Sequence, residues 1–369
     1  MIVGVDVGCL GIQDMRLQVG VYVMAKNLLQ TLGKIDTKNT YFLYSFYPIE
    51  ENLMNTLGKN MKNVVVKPVR GWMKLWLPLQ LMKDNIDVFI GLNQSLPLQI
   101  PIVTHYKKII VFHDIAFERY PAMYSYTGVL RKFHNQSLHA AKKADCIIAV
   151  SQKTKDDIIS IYGIKEGKIV VAHEGIPVRS TGNKKHFFFP ENPYFLYVGA
   201  IKKSKNIPGI IRGFSYFTQY TKMKYDLLFV GGKQWYDEDI RSTLQEISIE
   251  EKNRIQFLDF VEDTTLVSLY THAVCFVSPS YYEGFGLPFV EAMHYGCPVI
   301  GSTRGSLPEI IGDSGILVDA ENEKAIGKAM VSVVRDKKLR EQLTTRGRER
   351  EALFSWKTFA KVFLEQIES

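Results

Sequence analysis

Glu283 and Glu291 stand eight residues apart in Ser278-Pro-Ser-Tyr-Tyr-Glu283-Gly-Phe-Gly-Leu-Pro-Phe-Val-Glu291-Ala-Met. Ionised carboxylates are strong acceptors, so a pair of them suits a ligand rich in hydroxyls. Between them lie Gly284 and Gly286. Glycine has no Cβ, so the backbone N–H groups of Gly284, Phe285, Gly286 and Leu287 can close on an anion. Pro288 suits the first position of a helix, where a missing N–H costs nothing, and Gly296 suits its end. A helix N-terminus there adds the positive end of its dipole. One short stretch thus offers two carboxylates for sugar hydroxyls and a cradle for phosphate, which is the chemistry of a nucleotide-sugar.

The elements around it must place these groups. Ala273–Val277 is an apolar run ending at turn residues and reads as a buried strand. Glu283 then falls in the loop at the strand's C-terminal end, and Glu291 about one turn into the following helix. A second phosphate element begins at Tyr194-Phe-Leu-Tyr-Val-Gly199, a strand closed by glycine. Lys205-Asn206-Ile-Pro208 then opens a helix with Asn206 as its N-cap. Lys205 meets a helix N-terminus and can reach a pyrophosphate as a point charge, where an isolated lysine would be a surface residue.

Short apolar strands alternate with amphipathic stretches along the whole chain, which predicts βαβ units and parallel sheets. In the first half the strands read near Ile2–Val5, Tyr41–Ser45, Val64–Lys67, Val88–Ile90, Ile109–Phe112, Cys146–Val150 and Ile169–Ala172. In the second they read near Phe195–Val198, Leu227–Val230, Ile255–Phe257, Ala273–Val277, Pro298–Ile300 and Ile316–Leu317. A helix is expected from Val19 to Leu32, ending at Gly33. Pro177 to Pro193 has the composition of a linker. Two open α/β sheets, with a cleft between their strand C-termini, are the architecture implied. The expected domain boundaries are 1–180 and 190–353.

Composition agrees and sets limits. A chain of 369 residues favours two domains over one core. With 46% hydrophobic and 23% charged residues it reads as a soluble globular protein. Cys9, Cys146, Cys275 and Cys297 show no Cys-x-x-Cys spacing and read as buried thiols of a reducing compartment. No signal peptide is evident, and no run reaches the roughly 18 uncharged apolar residues of a membrane span. A cytoplasmic location follows. The net charge of +8 is uneven: residues 1–185 hold 24 Lys/Arg against 14 Asp/Glu, the remainder 22 against 24. A basic first half suits an anionic membrane surface or a lipid phosphate, or is merely a basic surface. No nucleic-acid signature accompanies it. Arg70 to Leu81 mixes Trp72, Trp76, Lys74 and leucines, the pattern of an interfacial helix or of a helix packed on its own sheet.

Glu-x7-Glu with Glu283-Gly-Phe-Gly-Leu-Pro288 inside resembles the signature of the retaining GT-B glycosyltransferases of family 4. The likeness continues through Gly296-Cys-Pro-Val-Ile300, Leu307-Pro-Glu-Ile-Ile-Gly-Asp313 and Gly315-Ile-Leu-Val-Asp319. It implies a GT-B fold of two Rossmann-like domains, with 1–180 binding the acceptor and 190–353 the nucleotide-sugar donor. The C-terminal segment 354–369 would then form a helix that crosses back onto the first domain. His113-Asp-Ile-Ala-Phe117 matches a family motif in which the His contacts the donor sugar. Gly20 corresponds to a glycine of the loop near the diphosphate, where Gln18 replaces another. Val261 corresponds to a residue bordering the nucleobase. Relatives carry Arg where Ala200 stands, so the second cation at the diphosphate falls to Lys202 or Lys203, or is absent.

The resemblance implies transfer of a hexose from a nucleotide-sugar to a glycan or lipid-linked acceptor, with GDP-mannose the leading donor and UDP-sugars next. No cofactor is implied. No Asp-x-Asp occurs, Asp237-Glu-Asp239 being nearest, so a metal-free scheme is expected. In it Glu283 orients the hexose, Glu291 grips the ribose and Lys205 stabilises the departing diphosphate. Three rivals stand beside this reading. A silent GT-B subunit that supports an active transferase would not need Glu283, Glu291, Lys205 and His113 together. An oxidoreductase would need Gly-x-Gly-x-x-Gly where Asp6-Val-Gly8-Cys-Leu-Gly11 stands. A sugar epimerase on the same fold is disfavoured by the two-Glu segment.

Overall fold

The structure is a computed structural model that describes residues 1–12, 20–98, 105–124, 127–177, 179, 190–232 and 238–369. Gln18, Lys233, Asp237 and most of the 177–193 stretch lie outside the described residues. The chain divides into two compact units, one of Met1–Gly175 with Ser355–Ser369, the other of Ile176–Phe354.

Parallel strands covered on both faces read as continuous apolar runs. Each of the thirteen runs read from the sequence overlaps a strand. The first unit holds β1 (Ile2–Asp6), β2 (Thr40–Ser45), β3 (Met61–Val65), β4 (Val88–Gly91), β5 (Lys107–Phe112), β6 (Cys146–Ala149) and β7 (Ile169–Val171). The second holds β8 (Tyr194–Val198), β9 (Asp226–Val230), β10 (Ile255–Leu258), β11 (Cys275–Ser278), β12 (Val299–Ser302) and β13 (Ile316–Val318). β3 begins three residues earlier than expected, because Lys62 and Asn63, polar but partly exposed, pair along the sheet edge with Phe42 and Leu43.

All pairings are parallel, and the orders are β3-β2-β1-β4-β5-β6-β7 and β10-β9-β8-β11-β12-β13. Both sheets therefore run outward in two directions from a central strand. The direction reverses between β1 and β4 in the first unit and between β8 and β11 in the second, the place where open parallel sheets generally bind ligands at their strand C-termini. The register aligns Asp6 with Gly91 in one and Phe276 with Leu196 in the other.

Each unit has its own core. In the first, Phe89, Ile110, Phe112, Ile147 and Ile158 pack with Trp72, Leu77 and Leu81. The Arg70–Leu81 segment forms a π-helical turn, Trp72–Trp76, continued by the helix Leu77–Lys83. Trp72 is a core residue, its ring edge-on to Phe46 at 5.6 Å, while Leu75 and Leu79 face outward. The C-terminal helix Trp356–Glu368 belongs to the first unit and packs on the helix Gly20–Ile35. Its entry is tight: a Cβ on Gly175 would lie 2.3 Å from the backbone N of Trp356. Among the described residues no helix is long and apolar enough to cross a membrane.

Candidate active site

The switch point of the second unit gathers the charged residues. Lys205 follows β8 and Glu283 follows β11, so the reversal of strand order places them on opposite sides of one crevice. Lys205 Nζ donates to both carboxylate oxygens of Glu283 at 2.5 Å, and Ser280 Oγ adds a third bond at 2.8 Å. Both side chains are largely buried, which strengthens the pairing relative to a surface ion pair.

Asn206 holds this arrangement. It caps the helix Ile207–Thr221 through Gly209 N at 3.2 Å, and its amide donates to Ala320 O at 2.6 Å and Pro279 O at 3.2 Å. One buried side chain thereby ties the exits of β8, β11 and β13 together. On the neighbouring side, a Cβ on Gly231 would lie 2.2 Å from Gly199 O, so the exits of β8 and β9 touch backbone to backbone. Ala200 gives no cation, and Lys203 is exposed and paired with Asp239 at 3.3 Å.

The glycine segment is shaped as its sequence requires. Gly286 is the N-cap of the helix Leu287–His294 with φ +100, a conformation that side chains disfavour. Leu287 is therefore the first helical residue and Pro288 the second, one later than the sequence reading had it. Pro288 has no N–H to donate, so it fits the second position as well as the first. Ser306 binds the carbonyls of Glu283 and Phe285 at 3.1 and 3.0 Å, and the Phe285 ring rests edge-on against Phe354 at 5.5 Å. The loop is thus anchored through its carbonyls and one aromatic ring. Gly284 is buried and Leu287 half-buried at the same helix entry.

Glu291 lies one turn on and is 3% exposed. Arg179 donates to its Oε1 from Nε at 3.0 Å and Nη2 at 2.5 Å, and Tyr270 donates to Oε2 at 3.0 Å. Arg179 Nη1 also pairs with Asp263 at 2.6 Å. Burial pushes the Glu291 carboxyl above its usual range, and Arg179 and Tyr270 oppose that shift only in part. Neither partner was found from the sequence. Arg179 stands 112 residues away in a stretch of linker composition, and Tyr270 reads as one aromatic among many.

In the first unit, His113 follows β5. Its Nε2 lies 2.9 Å from Leu92 O and its Nδ1 3.4 Å from Glu174, which is 3% exposed. Burial lowers the imidazole's proton affinity, but Glu174, Leu92 O and Asp114 outweigh it and raise the pKa. Both ring nitrogens face acceptors, so the cationic imidazolium suits them best. Glu174 also escaped the sequence reading, since one glutamate in His173-Glu-Gly carries no local pattern. Gly20 begins the helix Gly20–Ile35, and among the described residues no atom lies within 4 Å of its missing Cβ. Val261 sits half-buried between β10 and the helix Asp263–His272. The structure therefore gathers Lys205, Glu283, Gly284–Leu287 and Glu291 around one helix entry, with His113 and Gly20 in the other unit.

A family model described as Glycosyl transferases group 1 matches residues 178–350, and one described as Glycosyltransferase Family 4 matches 67–180. By sequence the chain is similar to the O-antigen chain mannosyltransferase B of Escherichia coli, 31% identical over 285 residues that cover 74% of this chain and 72% of that protein. By structure it is similar to the sucrose-phosphate synthase of Thermosynechococcus elongatus, with a TM-score of 0.77 and 19% identity over 100% of this chain and 98% of that one. It also matches Anabaena Alr3699/HepE in complex with UDP and glucose, with a TM-score of 0.73 and 14% identity over 100% and 99% of the two chains. These likenesses show the GT-B fold.

Proposed function

This chain belongs to the glycosyl transferases group 1 and is a hexosyltransferase, and from that premise we propose that it moves mannose from GDP-mannose to a hydroxyl of a growing surface polysaccharide, with retention and without a divalent metal. The observation that carries this reading is the Lys205–Glu283 pair set across the switch point beside the Gly284–Leu287 helix entry, with Glu291 one turn on. The mannosyl group and the polysaccharide are suggested by the name of the Escherichia coli relative.

In this scheme the donor's diphosphate lies against the backbone N–H groups of Gly284, Phe285, Gly286 and Leu287, at the positive end of the helix. Lys205 supplies the fixed charge that meets the departing phosphate. A preorganised cation of this kind stabilises charge as it develops and needs no rearrangement at that moment. Glu283, released from part of its bond with Lys205, takes the hydroxyls of the hexose and sets its orientation. Glu291 takes the ribose, Val261 borders the base, and the family resemblance assigns Gly20 to the diphosphate and His113 to the donor sugar. The bond between the anomeric carbon and the phosphate oxygen breaks with oxocarbenium character. The acceptor hydroxyl attacks on the same face, and its proton passes to the phosphate that leaves. No enzyme carboxylate forms a covalent bond to the sugar. The basic first half would meet an acceptor presented on a lipid at an anionic membrane face.

The UDP and glucose of the structurally similar Anabaena protein favour a second donor, a UDP-hexose. The test is transfer of labelled mannose from GDP-mannose, or of labelled glucose from UDP-glucose, to lipid-linked polysaccharide in excess EDTA. Transfer from GDP-mannose at the rate seen without EDTA is expected. Transfer only from UDP-glucose would replace the donor, and loss of rate in EDTA restored by Mn²⁺ would overturn the metal-free scheme.

A further inference from the structure

A carboxylate offers about four acceptor positions. Among the described residues, three donors already reach Glu291: two N–H groups of Arg179 on Oε1 and the Tyr270 hydroxyl on Oε2. One position is left. A ribose gripped through both of its hydroxyls needs two.

We infer that Arg179 is an affinity-determining residue of the ribose subsite, an internal ligand that occupies Glu291 until a nucleotide displaces it. The inference rests on the reading of Glu291 as the ribose's partner. Arg179 lies in no helix or strand, so its departure breaks no regular backbone element. Its guanidinium has somewhere to remain, because Nη1 is already held by Asp263, whose side chain is 47% exposed. The cation can thus exchange its bonds to Glu291 for water and keep the bond to Asp263. Tyr270 is fully buried and stays, leaving Oε1 wholly and Oε2 in part for two hydroxyls. Charge-assisted bonds to a guanidinium are stronger than those to neutral hydroxyls, so the exchange sets nucleotide affinity below what the bare carboxylate would give. When only a fraction of the protein is competent to bind, apparent affinity falls by that fraction: if Glu291 is free about one time in ten, binding is about tenfold weaker.

The experiment is calorimetric titration of the full chain with GDP and with 2′,3′-dideoxy-GDP, and with the UDP pair. The proteins are the wild type, Arg179→Lys, Arg179→Gln and Glu291→Ala. Lysine keeps a positive charge near Glu291 but lacks the planar fork that makes the two parallel bonds. Arg179→Lys therefore remains informative even where Arg179→Gln fails to fold. The expected result is ribonucleotide binding tightened by about three- to tenfold in the Arg179 variants, with dideoxynucleotide binding unchanged because that ligand never competes for Glu291. Weaker ribonucleotide binding in Arg179→Lys, or an equal gain for both ligands, overturns the inference. Glu291→Ala separates the two readings. If it leaves ribonucleotide affinity unchanged, the ribose assignment fails and takes the inference with it. If it weakens binding while Arg179→Lys brings no gain, the inference alone fails.

Discussion

In each unit a buried glutamate faces a basic side chain, and the two pairs differ in a way that matters. Glu291 in the second unit faces Arg179, and Glu174 in the first faces His113; both carboxylates are 3% exposed. A guanidinium stays charged at every ordinary pH, whereas an imidazole can give up its proton. Losing Arg179 strands a buried carboxylate with one hydroxyl for company. Losing Glu174 leaves a histidine that can simply become neutral. The first pair therefore keeps its cation as pH rises and is intolerant of substitution, and the second is the reverse.

The largest expected effect is on the side whose cation keeps its proton. Arg179→Gln should cost about 2 kcal/mol at neutral pH, the usual penalty for a buried group left short of partners. For a unit of this size that is a fall in Tm of roughly 4–8 °C. Glu174→Gln should cost clearly less at the same pH. Equal losses in calorimetry would remove the distinction.

The next effect is a pH dependence in the first unit. His113 titrates above its ordinary value near 6.5 in the folded chain. Its pairing therefore stabilises the fold fully below that value and fades as pH rises through the raised one. The difference in Tm between wild type and Glu174→Gln should be greatest near pH 6 and smallest near pH 9. The corresponding difference for Arg179→Gln should not shrink toward pH 9, because the buried Glu291 carboxyl that it strands is pushed further up and costs most where it is charged. A Glu174→Gln difference that grows with pH would mean that His113 is held neutral.

The smallest effect concerns charge at longer range. Residues 1–185 carry the excess of Lys and Arg, and the remainder is slightly acidic. Each basic residue near an anionic leaflet contributes about 1 kcal/mol within a Debye length of about 8 Å at physiological salt. Partial pelleting with anionic vesicles at low salt is expected, with little at high salt and none with neutral vesicles. Trp72 lies in the core and contributes nothing to this, so retention at high salt would point to apolar insertion through Leu75 and Leu79 instead.

Local patterns told much of this in advance. The thirteen apolar runs, the Asn206 cap and the helix entry after Gly286 could be read because period, capping and backbone permissiveness act within a few residues. Even there Pro288 fell one place later and β3 three places earlier, since helix and strand ends depend on neighbours that the local pattern does not name. The Glu-x7-Glu segment was equally plain, since its carboxylates, glycines and proline all fall within one loop and one helix turn.

The partners of the carboxylates were another matter. Lys205 comes to Glu283 from 78 residues away only because the strand order reverses between β8 and β11. Arg179 reaches Glu291 across 112 residues, and Glu174 meets His113 from the far side of two strands. Sequence by itself determined which residues could form strands, caps and an anion-binding turn, because those choices are made by neighbours along the chain. Which cation sits against which carboxylate was decided by tertiary structure alone, because an ion pair is selected by burial and distance, and neither has a period in the sequence.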